Sequence, residues 1–218
     1  MINRRLQLIG LFFSFLFQAF VVSLSNPIYA QTLRGTFPGR RVGGGTRGDC
    51  TSRLIIHLVP KSSQYSISSD GQDLIGLVQG PSILPTDLEL MFRPLMSNGN
   101  EGESKQKSVI YSFESNDASM VLFSPKLSKN QDFIWESYFN CRQPGASGDF
   151  SFITSGSPPA MSMLTTHSHE STHVISKTLK EWKTLCGGSI PTEVVLERFE
   201  LTDLLSYDWP TRLPILCP

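Results

Sequence analysis

The stretch RLIIHLV at residues 53–59 decides the fold class of this 218-residue chain. It is a continuous apolar run that Pro60 ends, which is typical of a β-strand buried on both faces. His57 lies within the run. We expect it to be a hydrogen-bonded core histidine, and the alternative role for such a residue is that of a metal ligand.

A second stretch, TDLELMFR at residues 86–93, alternates between apolar and polar side chains, as a half-buried strand does. Further short segments of strand character follow each other at intervals of ten to fifteen residues, with Gly, Pro, Asn or Asp between them. No helical stretch interrupts this series. It therefore predicts a mainly β fold, an antiparallel, immunoglobulin-like β-sandwich over residues 50–155.

The segments on either side of this domain have a different character. Residues 31–49 are rich in Gly and Arg and show no apolar periodicity, so we expect an arm or an ordered loop. At residues 155–159 (SGSPP) the composition changes again. Beyond it, residues 160–185 and 193–205 are predicted helices, which together give a short helical C-terminal appendage over residues 156–218.

The first thirty residues have the pattern of a signal peptide. Arg4 and Arg5 precede an apolar run at residues 6–24, and Ala30 ends the sequence Asn-Pro-Ile-Tyr-Ala, a site suited to cleavage. The alternative is an uncleaved membrane anchor, because the run is nearly long enough to span a bilayer. We therefore expect an exported protein that is periplasmic, bound in the cell envelope or secreted.

Composition and charge exclude one class of partner. The chain is 39% apolar and 17% charged, as globular proteins are, and its 19 basic residues balance its 19 acidic ones. Cleavage after Ala30 removes two arginines and no acidic residue, so the mature chain is slightly acidic. A nucleic-acid-binding protein would need a basic stripe, so we expect no nucleic-acid partner.

The four cysteines are an even number, and in an exported protein we expect them to form disulfides, for which three pairings are possible. Cys50 and Cys141 would tie the beginning of the β domain to its end. Cys186 and Cys217 could staple the C-terminal appendage.

Two stretches carry a resemblance to a known family. Residues 37–50 (FPGRRVGGGTRGDC) resemble the opening of a family of uncharacterised exported proteins, mainly cyanobacterial, called domain of unknown function 928. Residues 133–141 (FIWESYFNC) and 147–150 (SGDF) are similar to a second motif of that family. The resemblance implies a β-rich domain and supports the pairing of Cys50 with Cys141, but it implies no reaction, ligand or catalytic residue. Family members commonly continue into a Gly-Ile-Trp-Tyr-like segment, which this chain lacks.

The Gly-rich stretch at residues 43–48 (GGGTRG) formally fits the dinucleotide-binding fingerprint, whose glycines work only between a strand and a helix. No strand or helix is predicted on either side of it, so we do not expect nucleotide binding. Arg40, Arg41 and Arg47 offer forked donors to an anionic ligand such as an acidic glycan or a phosphate. The interpretation we prefer is that they bond to backbone carbonyls and carboxylates and hold the arm against the sandwich.

The sequence His169-Glu170-Ser171-Thr172-His173 matches a zinc-protease motif. On a helix the two histidines would share a face and could bind zinc, with Glu170 as the base and Glu193 as a third ligand. The flanking Ser and Thr residues are weak helix formers, and the break at residues 186–191 leaves little room to bring Glu193 to the metal. Such a pentapeptide also arises by chance. We therefore prefer a polar helix with an incidental histidine cluster.

Taken together, these patterns predict a non-catalytic extracytoplasmic binding or structural module with no catalytic residue, cofactor or metal. Its partner would be an envelope protein or a glycan, and it would contact a membrane only if residues 1–30 stay uncleaved. The alternative is a zinc-dependent peptidase.

Overall fold

The computed structural model describes residues 39–44, 46–48, 53–68, 73–82, 87–95, 109–113, 117–141, 158–168 and 170–218. These residues belong to one compact unit, Phe37–Pro218. The predicted signal peptide, residues 1–30, lies outside the described residues, as does the end of the predicted β domain, residues 142–155.

The described residues form twelve strands, which are, in chain order, β1 (Val42–Gly43), β2 (Thr46–Gly48), β3 (Ile55–His57), β4 (Gln64–Ser66), β5 (Ile75–Gln79), β6 (Asp87–Pro94), β7 (Val109–Phe113), β8 (Ser119–Phe123), β9 (Phe133–Cys141), β10 (Ala160–Thr165), β11 (Ser189–Pro191) and β12 (Arg212–Leu216). Sheet 1 has the order β1-β3-β5-β8-β12-β11, and sheet 2 has the order β4-β10-β9-β6-β7. Strand β2 also belongs to sheet 2, because it pairs with the C-terminal end of β9. The prediction of a mainly β fold is confirmed.

The central strands of sheet 1 are buried on both faces, and this explains their continuous apolar sequences. Every residue of β3, β5 and β8 is buried. One face packs on sheet 2. The other lies under helix α1 (Glu170–Lys183): a Cβ built on Gly76 of β5 would lie 3.1 Å from Leu179 of this helix. The prediction that the strand within residues 53–59 is buried on both faces is therefore confirmed.

Sheet 2 shows the alternation that its sequence predicts. In β6, Leu88, Leu90 and Phe92 are fully buried, whereas the intervening residues are partly or wholly exposed. The ring of Phe92 lies 6.1 Å from that of Trp135 in β9 and 6.2 Å from that of Phe123 in sheet 1. One hydrophobic core therefore joins the inner faces of the two sheets, as in a β-sandwich.

Among the strands of the described residues, three pairs are parallel, whereas the predicted sandwich has antiparallel pairs. They are β2 with β9, β4 with β10, and β8 with β12. Each joins segments far apart in the chain, so no local hairpin pattern in the sequence indicates it. The resulting strand orders also differ from the ABED and CFG orders of an immunoglobulin domain.

The predicted helix at residues 160–185 is wrong in its first part. Ala160–Thr165 is strand β10, which pairs with both β9 and β4. Ala, Met and Leu favour helices, but two neighbouring strands offer this segment hydrogen bonds and burial that outweigh a weak helix propensity. The helix begins only at Glu170.

The predicted helix at residues 193–205 is also shorter than expected. Helix α2 is Thr192–Arg198, and a single 3-10 turn, Thr202–Leu204, follows it. Glu200 has a φ of 54°, a left-handed conformation that an α-helix cannot continue through. Because β10 belongs to sheet 2 and β11 and β12 belong to sheet 1, the described part of residues 156–218 is not a helical appendage. It supplies strands to both sheets.

The Gly/Arg-rich segment that we predicted to be an arm is part of both sheets. Val42 and Gly43 pair with β3, and β2 pairs with β9. A Cβ built on Gly43 would lie 2.3 Å from the backbone nitrogen of Ala160. Glycine is therefore required at this position, because a side chain would not fit between the two backbones. The apolar periodicity of a sequence does not indicate such a close approach.

Candidate ligand-binding cleft

A cleft of about 710 Å³ opens at the side of the sandwich where β7 ends sheet 2. Its described lining residues are Gln79, Leu88, Ser112, Val121, Cys186, Gly187, Ile215, Leu216, Cys217 and Pro218. The cleft volume lies within the range of small-molecule sites in proteins, about 300–1,000 Å³. Most of this lining is apolar, and its polar side chains are one amide and one hydroxyl.

Both sheets build the floor of the cleft. Gln79 and Val121 come from β5 and β8 of sheet 1, and Leu88 comes from β6 of sheet 2. These three side chains are at most 2% exposed, whereas Leu216 at the cleft wall is 43% exposed. The cleft therefore has a solvent-exposed wall and lies over side chains that are almost fully buried.

One wall of the cleft is held by a disulfide. Cys186 and Cys217 are bonded, with their Cα atoms 5.8 Å apart, and they join the turn after α1 to the end of β12. The amide of Gly187 donates to the carbonyl of Ile215 at 2.9 Å, and Ile215 donates to Gly188 at 3.0 Å. Gly187 has a φ of 81°, which favours glycine in this turn.

A group of buried polar side chains lies beside the inner end of the cleft. The amide nitrogen of Gln79 donates to the hydroxyl of Ser119. Arg53, only 5% exposed, donates from Nε to the carbonyl of Gly80 at 2.7 Å, and its Cζ lies 4.9 Å from the ring centre of Phe139. Burial lowers the pKa of Arg53 to about 10, although attraction to Asp117 acts in the opposite direction.

The sequence reasoning missed this cleft and the polar residues beside it. Arg53 and Gln79 stand at the ends of apolar runs, and a polar residue in a strand buried on both faces is the signal that could have identified them. The wall formed by residues 186–187 and 215–218 had no such signal. Those residues were assigned to an appendage, so nothing placed them beside the sandwich.

His57 is the core residue that we predicted. It is fully buried, and its Nδ1 and Nε2 lie 2.8 Å from the hydroxyls of Ser162 and Ser137. Its ring stacks on Trp135 with centroids 3.6 Å apart and 6° between the planes. Burial lowers the pKa of His57 well below 6.5, so the ring is neutral. Because both serines belong to sheet 2, this histidine links the two sheets.

The three candidate anion-binding arginines are not brought together as a site in the described residues. Arg40 donates to the carbonyl of Pro159 at 3.2 Å. Arg41 donates to the carbonyls of Val59, at 3.1 Å, and Phe199, at 2.8 Å. The interpretation that these two arginines hold the segment against the sandwich is thus confirmed, while the side chain of Arg47 lies outside the described residues. Within the stretch at residues 43–48, the described residues Thr46–Gly48 form strand β2 and not the first turn of a helix.

The zinc-protease motif is only partly described. His169 lies outside the described residues, Glu170 begins α1, and His173 is exposed on the same helix. Glu193 is exposed in the first turn of α2. Within the described ranges no group of three His, Cys, Asp or Glu side chains is placed to hold a metal ion.

The cysteine pairing is settled for one pair. The predicted bond between Cys186 and Cys217 is confirmed. Cys50 and the side chain of Cys141 lie outside the described residues, so their bond stays a prediction. The register of β2 on β9 places Gly48, two residues before Cys50, directly opposite Cys141.

No family model, curated protein or solved structure matches the chain. The resemblance to the domain of unknown function 928 family therefore stays a prediction. The Cys186–Cys217 disulfide indicates an oxidising, extracytoplasmic compartment. Among the helices in the described ranges, none has the length and apolar character needed to cross a membrane.

Proposed function

We propose that this protein is an exported, non-catalytic module of the cell envelope that binds a small, largely apolar ligand in the cleft. The observation that carries this proposal is the cleft itself, a mainly apolar space that is lined by residues of both sheets. Concave apolar sites with a few polar groups are the usual form of small-molecule sites.

The lining chemistry supports binding rather than catalysis. None of the described lining side chains is a carboxylate or an imidazole, and the two lining cysteines are joined to each other. General acid–base catalysis needs a titratable group within hydrogen-bond reach of the substrate. An amide and a hydroxyl, from Gln79 and Ser112, are instead suited to orienting a ligand.

The proposal is tested with N-phenyl-1-naphthylamine, a neutral apolar dye whose fluorescence rises when it leaves water. We expect one dye to bind per chain. Leu216→Trp would fill the mouth of the cleft and should weaken dye binding about tenfold or more, because a blocked site loses the burial of the ring system. Val174→Trp, at a 53% exposed position on α1, is the matched control and should leave binding unchanged. No dye binding, or equal binding by both variants, would refute the proposed function.

The zinc-peptidase alternative is decided on the same preparations by metal analysis. Stoichiometric zinc that disappears in both His169→Ala and His173→Ala would favour the peptidase. The binding module predicts protein without stoichiometric zinc, and it predicts unchanged stability in His173→Ala because His173 is exposed.

A further inference from the structure

Strand β10 places two methionines on the outer face of sheet 2. Ser162 points into the core, where its hydroxyl lies 2.8 Å from Nδ1 of His57. Because successive side chains of a strand alternate, Met161 and Met163 face outward, and both are only partly buried. The outer face of an antiparallel sheet normally carries polar side chains, so a pair of thioethers on this face calls for a physical reason.

A third methionine lies on the same face. In β6, Leu90 and Phe92 are buried in the core, so Met91 between them faces outward, and it is only partly buried. The strand register places Glu136 of β9 directly between Met91 on one side and Met161 on the other. Three of the four methionines in the described part of the chain therefore lie around one glutamate.

The spacing of these strands lets the three sulfurs approach one point. Neighbouring strands lie about 5 Å apart, and residues two apart in one strand lie about 7 Å apart. Met91 and Met161 are separated by one intervening strand, and Met163 is two residues from Met161. Long, unbranched and flexible methionine side chains can span these separations and bring their sulfurs to a single ion. Glu136 forms an ion pair with Arg93, so the positive charge nearest to the sulfurs is already balanced.

The chemistry of this group favours a soft monovalent cation. Thioether sulfurs are soft ligands, which suit Cu(I) and not hard cations such as Mg²⁺. The two cysteines whose side chains are described are joined in a disulfide, whereas a thioether cannot form one and stays available as a ligand in an oxidising compartment. We propose that Met91, Met161 and Met163 form a Cu(I) site on the outer face of sheet 2. This site goes beyond the proposed function, which assigns no metal, and none of its three methionines lines the cleft.

The first test is an anaerobic competition for Cu(I) between the mature protein and bicinchoninate, whose Cu(I) complex is coloured. We expect each chain to withdraw one Cu(I) ion from the coloured complex. Replacing Met161 and Met163 by leucine keeps an apolar surface but removes two sulfurs. It should weaken Cu(I) binding about tenfold or more, since even outer-shell partners of a metal commonly contribute that much. Met120→Leu, in the core on sheet 1, is the matched control and should leave binding unchanged. No withdrawal of Cu(I), or equal affinity in the leucine variants, overturns the proposal.

The second test locates the ion in the wild-type protein and does not depend on the folding of any variant with a lost ligand. Methionine methyl groups are labelled for NMR, and Ag(I) serves as a redox-stable ion of the same charge and softness as Cu(I). The methyl signals of Met91, Met161 and Met163 should shift together and stop shifting at one Ag(I) per chain, while that of Met120 stays in place. Each signal is assigned from a single Met→Leu variant, which is close to methionine in volume and should keep the wild-type urea midpoint. Shifts that leave these three signals unmoved overturn the site.

Discussion

Replacing His57 by alanine should remove the main polar link between the two sheets. The ring is fully buried and stacks on Trp135, so its loss leaves a cavity that costs about 2 kcal/mol. The hydroxyls of Ser137 and Ser162 would each lose a buried partner, at about 1 kcal/mol apiece. We therefore expect His57→Ala to lower the free energy of unfolding by about 4 kcal/mol.

The size of each contribution follows from a graded set of variants measured by urea unfolding, with tryptophan fluorescence as the signal. His57→Phe keeps the ring but not the hydrogen bonds, and it should cost about 2 kcal/mol. Adding Ser137→Ala and Ser162→Ala removes both unsatisfied hydroxyls and should restore most of that loss, because replacing all partners by apolar groups is nearly neutral. His173→Ala, at an exposed position, is the control and should change stability by less than about 0.5 kcal/mol. A cost below 1 kcal/mol for His57→Ala would refute this reasoning.

The same histidine makes stability depend on pH. Burial keeps the pKa of folded His57 well below 6.5, whereas the unfolded chain takes up the proton near its ordinary value of 6.5. The unfolded state therefore binds more protons below pH 6.5, and the contribution of His57 to stability falls as the pH is lowered, with a slope approaching 1.4 kcal/mol per pH unit. The triple variant with phenylalanine lacks this group. Parallel losses of stability in wild type and triple variant between pH 6.5 and 5 would contradict a neutral buried His57.

Three further outcomes test the layers and their connections. Leu179→Ala should lower the free energy of unfolding in urea by about 2–5 kcal/mol, because this side chain packs α1 on sheet 1. Val174→Ala, on the exposed side of the helix, should change it little. Equal effects of the two variants would contradict the packing of α1 on sheet 1. Gly43→Ala should lower the thermal unfolding temperature through a clash that costs about 1–3 kcal/mol, and an unchanged temperature would show that the backbones do not touch. Replacing Cys186 and Cys217 by serine should cost about 3.5 kcal/mol by the loop-entropy relation, and an unaltered urea midpoint would contradict a structural bond.

The sequence predicted those parts of the fold that depend on local periodicity. The run at residues 53–59 and the alternation at residues 86–93 both describe how a strand is buried, so their structural roles could be anticipated. His57 was identified as a core residue because a histidine inside an apolar strand needs hydrogen-bond partners. Its partners, Ser137 and Ser162, could not be named, since they come from strands far away in the chain.

The failures have a common physical origin in pairing between distant segments. Ala160–Thr165 has the composition of a helix, and it becomes a strand because β9 and β4 flank it on both sides. The cleft escaped prediction for the same reason, because its floor comes from β5, β6 and β8 and its wall from the end of the chain. No local pattern encodes a space between such segments. Arg53 and Gln79, polar residues at the ends of apolar runs, could have indicated only the buried polar groups beside it.

The location of a bound ligand tests the account most directly. Crystals of the mature protein soaked with 10-bromodecanoate and measured at the bromine absorption edge would give the position of the alkyl chain from one anomalous peak. We predict a peak in the cleft among Leu88, Val121 and Leu216. A peak elsewhere on the molecule, or none at a concentration that displaces the dye in solution, would contradict the cleft as the binding site.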